Sequence, residues 1–219
     1  MGTITIHPAT TTTPIELMGE MAGICWGANT EDKEKNYLRG LDCLQSQHGR
    51  VSEYPQVYIV LDGYSAKVIR ELYTHIGGAP SRLQASTRYI EYGNFEYVTP
   101  PRLYEDQTAL EIYDRCMHYI SEAVKDLEAI GIAKEDASML LPLGMTTKVV
   151  IRTNLRNLID MSHQRKCNRA FWEFRQLFDD LETALTDYSP QWEYCVTKYF
   201  VPKCKYLGYC PEKHSCKNS

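Results

Sequence analysis

The segment from Asn154 to Arg165 places charged and polar side chains at helical spacing. Arg156, Asp160 and His163 follow one another at i, i+4 and i+7, so a helix would present them on one face. Arg165 ends the segment, where a guanidinium can either extend into solvent or line a cavity. If these side chains face a cavity, they could bind an anionic ligand. If they face solvent, they have no chemical role.

A second group of candidate residues follows a predicted helix that ends at Gly77 and Gly78. Glycine lets backbone N–H groups approach an anion, and hydroxyl and guanidinium groups can complete a phosphate cradle. A polar loop that only caps a helix would explain the same pattern, and the GK[ST] ending of a P-loop is absent. The polar and cationic residues of this stretch are His75, Ser81, Arg82, Gln84, Ser86, Thr87 and Arg88.

A third group, His48, Arg50 and Glu53, lies between a predicted helix and a predicted strand. These side chains could contact a ligand. A surface ion pair between Arg50 and Glu53 is the simpler interpretation from sequence alone.

Four of the 8 cysteines, Cys195, Cys204, Cys210 and Cys216, fall within the last 25 residues, with His214 nearby. Thiolates bind zinc, but strong zinc motifs contain C-x2–4-C pairs, and these gaps are wider. A reduced, cysteine-rich tail is the alternative, and no metal ligand is assigned. The first residues contain no secretory signal, so reduced thiols and a cytoplasmic protein are expected.

Composition excludes several classes of protein. The chain has 219 residues, a formal charge of −4 and 43% hydrophobic residues, enough for a sizeable core. No stretch approaches the roughly 20 apolar residues of a membrane span. The acidic balance makes nucleic-acid binding through a broad basic face unlikely.

The elements that must position the candidate residues are helices mixed with short, separated strands, which favours an α+β fold in a single domain. Hydrophobic periodicity and turn signals predict the boundaries, and the spacing predicts a continuous apolar stripe along 108–130 and another along 168–187 that includes Phe174. The predicted helices are 14–25, 34–47, 65–75, 108–130, 154–165 and 168–187, and the predicted strands are 57–61, 90–98 and 148–152.

Taken together, the first three groups resemble the flavin-dependent thymidylate synthases. The family's His-x4-Glu segment is matched by His48 and Glu53, and its Ser-x-Arg-Tyr by the run from Ser86 to Tyr89. Further matches, in the same order along residues 14–188, are Ser81, Leu141-Pro142-Leu143, Asn154, Arg156, Arg165 and Trp172-Glu173.

The chain also departs from the family pattern, which indicates a divergent branch. The Arg-His-Arg motif is missing: with a two-residue insertion Thr74-His75-Ile76 stands in its place, and without the insertion Ile76-Gly77-Gly78 does. Leu83-Gln84 replaces an Asn-Glu pair, Ser138 an Arg, and Asp160 an Asn. These changes remove cations where phosphates are expected; Arg50, Arg70 and Arg82 are near enough in sequence to replace them.

The resemblance implies an antiparallel sheet flanked by helices and a homotetramer with active sites between subunits. It implies methylation of dUMP to dTMP, with methylenetetrahydrofolate as carbon donor and NADPH-reduced FAD as hydride source. Arg165 would be catalytic and contact the uracil ring. The other implied substrate-binding residues are Gln84, Ser86, Thr87 and Arg88. The implied flavin-binding residues are His48, Arg50, His75, Ser81, Asn154, Arg156 and Asp160.

Residues 1–190 would form the synthase-like domain, and residues 191–219 a cysteine-rich tail outside the family pattern. Truncation after Ser189 is therefore expected to leave a folded, flavin-binding protein. Three alternatives remain: a flavin-dependent methyl or hydroxymethyl transferase acting on another pyrimidine nucleotide, a non-catalytic module that binds nucleotides or single-stranded nucleic acid, and an inactive homologue. Purified protein should be yellow only if it is one of the two enzymes.

Overall fold

The computed structural model describes residues 2–216, which form helices and short strands in a mixed order. The strands are β1 (Thr3–Ile6), β2 (Gln56–Ser65), β3 (Ser81–Gln84) and β4 (Thr146–Asn154). The helices are α1 (Pro14–Cys25), α2 (Lys33–Gln45), α3 (Ala66–Leu72), α4 (Gln107–Ala129), α5 (Lys134–Ala137), α6 (Leu155–Arg165), α7 (Trp172–Tyr188), α8 (Pro190–Tyr199) and α9 (Lys203–Leu207).

The strands form one sheet in the order β1-β2-β4-β3. Along β2, Val57, Ile59 and Leu61 are buried at every second position, as expected when one face of a strand packs on a core. The fold class, helices with an antiparallel sheet, is confirmed. Backbone contacts cluster into two compact units, the first of residues 2–3, 61–73 and 83–149, the second of 4–60, 74–82 and 150–216.

The first unit contains α3, α4 and α5. Ser65 begins α3 by accepting a hydrogen bond from Val68 N, and the helix buries Val68, Ile69 and Leu72. In α4 only Met117 and Val124 are buried, although the spacing predicted a continuous apolar stripe. Tyr119 and Ile130 are among the large side chains of this region that stay exposed.

The second unit contains α1, α2 and α6–α9, and α6 begins directly where β4 ends. Asn154 caps α6, since its Oδ1 accepts a hydrogen bond from Asn157 N at 2.9 Å. Leu155, Leu158 and Met161 bury one side of the helix. This burial fixes the rotation of α6, so its first and last turns present polar side chains at defined positions.

One predicted strand is wrong, and two observed strands, β1 and β3, were not predicted. Residues 90–98 form no regular strand, because a turn closed by Phe95 N and Tyr92 O interrupts the extended run. Only Tyr97 makes an isolated bridge, to Met145. Conversely, β3 forms within the second group of candidate residues, for which the sequence predicted no strand. It is a short edge strand with mostly exposed residues, so its sequence lacks the alternation that identifies half-buried strands.

The expected truncation after Ser189 is also corrected, because α8 belongs to the core of the second unit. Trp192 and Cys195 are fully buried, and Trp192 Nε1 donates to Thr11 O at 2.7 Å. Phe200 is 3% exposed and packs against Phe178 with ring centroids 5.7 Å apart. Only the residues that follow, here called the outer tail (residues 201–216), lie outside this core.

Within residues 2–216, no helix has both the length and the apolar character needed to cross a membrane.

Candidate active site

Arg165 is held by two side chains of the second unit. Its Nε donates a hydrogen bond to Nε2 of His75 at 2.8 Å. Its guanidinium carbon lies 4.5 Å from the ring centroid of Phe174, which favours the cation through the negative face of the ring. Arg165 is half-buried. This position excludes the alternative that the guanidinium of Arg165 extends freely into solvent.

His75 is a buried, neutral hydrogen-bond acceptor. Burial and, to a smaller extent, the positive charges of Arg165 and Arg82 together lower its pKa from 6.5 to about 4. Arg82 also donates a hydrogen bond to the carbonyl of His75. Because neutral imidazole has one acceptor nitrogen, directing that nitrogen at Arg165 fixes the orientation of both groups.

The depressed pKa of His75 makes the free energy of unfolding depend on pH. Between pH 6.5 and about 4, His75 is protonated in the unfolded chain and neutral in the folded chain. The free energy of unfolding therefore falls as pH falls through this window. The loss should approach about 3 kcal/mol at the acid end. Urea titrations across this range should show that His75→Gln removes this component.

Exposed His118 supplies the matched control, since His118→Gln should leave the slope unchanged. An unaltered slope in His75→Gln would contradict the assignment of a neutral, buried His75.

Glu53 connects two of the predicted flavin-binding residues. Its Oε1 accepts a hydrogen bond from Arg156 Nη1 at 2.5 Å, and its Oε2 lies 3.5 Å from Arg50 Nη1. Arg50 has 85% of its side chain exposed, so the surface ion pair accounts for its position. Arg156 is the better fixed of the two cations.

Arg156, Asp160 and His163 line the same cavity, as their helical spacing predicted. This cavity of about 470 Å³ is here called the His48 cavity. Tyr206 from the outer tail stacks on His163, with ring centroids 4.5 Å apart and planes inclined by 26°. Burial lowers the pKa of His163, although Asp160 opposes the shift. The side chains that line this cavity include His48, Arg156, Asp160, His163, Lys198 and Tyr206.

This cavity fits part of an anionic cofactor with an aromatic ring. Cationic Arg156 and Lys198 can offset phosphate charge, and Tyr206 offers a stacking surface. The Nε2 atom of His163 is buried and has no hydrogen-bond partner within residues 2–216. Since buried polar atoms are nearly always hydrogen-bonded, this nitrogen is a candidate ligand contact.

The paired glycines have a packing role that sequence analysis did not identify. Gly78 has φ +69°, and a Cβ there would lie 2.1 Å from Asn154 Nδ2. A Cβ on Gly77 would lie 2.8 Å from Asn157 Oδ1. The glycines thus allow the loop to approach the first turn of α6, so their presence does not require a bound phosphate. Ser81, at the start of β3, is exposed.

The remaining predicted substrate-binding residues lie in the first unit, at and after the end of β3. Gln84 Oε1 accepts a hydrogen bond from Tyr73 Oη at 3.1 Å. Ser86 Oγ accepts from Arg88 N at 3.2 Å, and Thr87 is half-buried between them. Arg88 Nε lies 3.0 Å from Glu135 Oε2, an exposed ion pair of the kind that a phosphate can replace.

Sequence reasoning missed residues that act from distant parts of the chain. Phe174 lies in the predicted apolar stripe of α7, where nothing marks it as the partner of a guanidinium. Tyr206 lies in the tail to which the resemblance assigns no role. His163 was identified by helical spacing, and the structure places it with Arg156 and Asp160 in the lining of the His48 cavity.

Comparison with known proteins identifies the class to which this fold and site belong. Curated relatives named flavin-dependent thymidylate synthase include one from Nitratidesulfovibrio vulgaris, 28% identical over 189 residues, covering 83% of this chain and 75% of the relative. Another, from Clostridium tetani, is 28% identical over 199 residues, covering 84% of this chain and 76% of the relative. A family model described as thymidylate synthase complementing protein matches residues 9–191. The chain belongs to this family.

Two solved structures share the fold at 18% identity. One is thymidylate synthase X from Helicobacter pylori with FAD and dUMP, with a TM-score of 0.66, covering 90% of this chain and 99% of that one. The other is the UMP/dUMP methylase PolB from Streptomyces cacaoi bound with 5-Br dUMP, with a TM-score of 0.71, covering 91% and 96%. At this identity, the likeness concerns the fold alone.

Proposed function

We propose that this protein binds FAD and methylates dUMP to dTMP, with methylenetetrahydrofolate as carbon donor and NADPH as reductant. Family membership supports the reaction class. The observation that carries the proposal for this chain is the guanidinium of Arg165, held in one orientation by His75 and Phe174. A catalytic cation must be preorganised in this way before charge develops on the substrate.

In the proposed reaction, C5 of the pyrimidine attacks the methylene carbon of the folate and later loses its proton. Arg165 stabilises the negative charge that develops on the ring as C5 becomes nucleophilic. His75 stays neutral at pH 7 and so keeps its acceptor nitrogen directed at Arg165. When bound and reduced by NADPH, FAD would provide the hydride needed to complete the methyl group. The other products are tetrahydrofolate and NADP⁺.

For the cofactor, we propose that the His48 cavity holds an anionic and aromatic part of FAD. Its cations and the stacking surface of Tyr206 support this placement. His48, Arg156 and Asp160 are wall residues with direct access to a ligand. The other proposed flavin contacts, Arg50, His75, Ser81 and Asn154, rest on the family pattern. Of these, Asn154 also caps α6, so replacing it would affect folding as well as binding.

For the nucleotide phosphate, we propose Ser86, Thr87 and Arg88, with Gln84 nearby. Hydroxyl and guanidinium groups at the end of a strand can bind phosphate by charge-assisted hydrogen bonds. Arg88 forms an ion pair with Glu135, and the nucleotide phosphate would replace the Glu135 carboxylate on binding.

We also propose a homotetramer with active sites between subunits. Large apolar side chains of the first unit remain exposed in the isolated chain, including Ile112 at 49% and Tyr119 at 66% on α4. Burial of such surfaces between identical subunits is a common outcome for soluble oligomers.

The proposal is tested on purified protein, which should be yellow, release FAD on denaturation and elute as a tetramer. Supplied with dUMP, methylenetetrahydrofolate and NADPH, it should form dTMP; omission of either co-substrate should abolish the product. Protein that does not bind added FAD, or FAD-loaded tetramer that forms no methylated nucleotide, would contradict the proposal.

A second candidate keeps the cofactor and changes the nucleotide. The fold is shared with a UMP/dUMP methylase, and the Arg-His-Arg motif is absent here. Parallel assays with UMP distinguish the two candidates: product from UMP at a kcat/KM equal to or above that for dUMP would favour the second.

A further inference from the structure

Four thiols line one cavity, and none of them has a role in the proposed reaction. This cavity of about 530 Å³, here called the thiol cavity, is bordered by Cys167, Cys204, Cys210 and Cys216. Cys167 follows the end of α6, and the other three come from the outer tail. Two segments far apart in sequence thus contribute half of the chain's 8 cysteines to one space.

The sequence groups Cys195 with the three tail cysteines, but the structure places Cys167 beside them instead. Cys195 lies in α8, fully buried in the core of the second unit, and it does not line the thiol cavity. Burial raises the pKa of its thiol to about 12. The cluster therefore consists of Cys167 with three tail cysteines, a combination that spacing in the tail could not indicate.

The outer tail has no apolar core of its own. None of its residues is buried, and α9 buries no side chain. Cys204, Cys210 and Cys216 are half-buried, while residues 205–206, 208–209 and 211–214 between them are exposed. A short segment with this pattern typically needs a disulfide or a metal to hold one structure.

The charges around the cavity suit an anionic metal centre. Arg169 and Lys203 are in its lining, against the single carboxylate of Glu212. The thiolate is the form of cysteine that binds metals. A divalent ion held by four thiolates carries a net charge of −2, which these cations can offset.

The outer tail is already held beside Cys167 by a neighbouring residue. Arg169 Nη1 lies 3.3 Å from Glu212 Oε2 and donates to the carbonyl of His214 at 3.2 Å. Glu212 and His214 both lie between Cys210 and Cys216. Their contacts with Arg169 therefore hold this part of the outer tail close to the end of α6.

We propose that Cys167, Cys204, Cys210 and Cys216 form a four-thiolate metal centre that holds Zn²⁺ or an iron–sulfur cluster. On binding, each thiol loses its proton and forms one sulfur–metal bond, so no cysteine is oxidised. Within residues 2–216, no three His, Cys, Asp or Glu side chains are already gathered around one ion position. Binding therefore includes closure of the outer tail, because metal sites in small segments form together with the fold around them.

The centre shares its cavity with Arg165, so it would also stabilise the end of α6 on which Arg165 lies. This role is structural. It requires no step of the nucleotide chemistry, and its test does not depend on flavin or turnover.

The test is metal analysis of the full chain purified without oxygen from medium containing zinc and iron. Stoichiometric zinc without sulfide would identify a zinc centre; iron together with acid-labile sulfide would identify a cluster. Cys167→Ser and Cys210→Ser should each lose most of the bound metal. Cys116→Ser, which changes an exposed thiol on α4, should retain it.

A second measurement uses the unmodified chain and so avoids the folding of variants. Chelator treatment should remove the metal and speed tryptic cleavage after Lys203 and Lys205, and restoring the metal should reverse the change. The proposal is overturned if the wild-type chain holds no stoichiometric zinc or iron and takes up none on titration. Full metal content in both serine variants, or a native disulfide between any of the four thiols, would also overturn it.

Discussion

Arg165→Ala should lower the turnover of dUMP by about 10²–10³-fold while the protein stays folded and retains flavin. Removing one preorganised charge-stabilising group costs about 2.7–4 kcal/mol of transition-state stabilisation. The structure supports this expectation, because Arg165 is fixed by a 2.8 Å hydrogen bond to His75 and by the Phe174 ring. The rate of dTMP formation under saturating substrates measures the effect.

The loss should be confined to the nucleotide step. Reduction of the flavin by NADPH, followed by absorbance in the absence of dUMP, should change much less than dTMP formation. Arg165→Lys should recover only part of the rate, because an ammonium lacks the planar, multi-donor geometry of guanidinium. Arg102→Ala, at an exposed position before α4, is the matched control. Wild-type dTMP formation by Arg165→Ala would refute the catalytic assignment.

Removal of residues 190–219 should prevent stable folding of the second unit. Complete truncation of a buried Trp typically costs about 3–5 kcal/mol, against a total stability of about 5–15 kcal/mol. This deletion removes Trp192 together with Cys195 and Phe200, all of them buried. It also leaves the Thr11 carbonyl without the Trp192 Nε1 donor.

A chain ending at Pro202 is the matched control, since it keeps α8 and Phe200, and none of the described residues that it lacks (203–216) is buried. Circular dichroism and urea unfolding should show a cooperative transition for this chain and none for the chain ending at Ser189. Equal unfolding midpoints for the two chains would contradict the assignment of α8 to the core. The result also bears on the family match, which ends at residue 191 although the packed helix continues to Tyr199.

The sequence determined those features that depend on local periodicity and capping. Helix α1 begins and ends at the predicted residues, because Pro14 sets its first turn and its apolar residues repeat at helical spacing. The shared face of Arg156, Asp160 and His163 followed from the same geometry, and all three line one cavity. The family was also identified from the sequence, since its polar motifs are short and retain their order.

Only the tertiary structure decided which partners those residues have. Arg165 and His75 are 90 positions apart in sequence, and their hydrogen bond depends on where a loop and a helix end are brought together. The glycine pair looked like a phosphate cradle, but a Cβ at either position would meet side chains at the first turn of α6. Cys167 and the tail cysteines likewise share a cavity that no spacing rule connects. Helical periodicity is set by neighbours within a few residues, whereas these contacts depend on the packing of distant segments, which the local pattern does not encode.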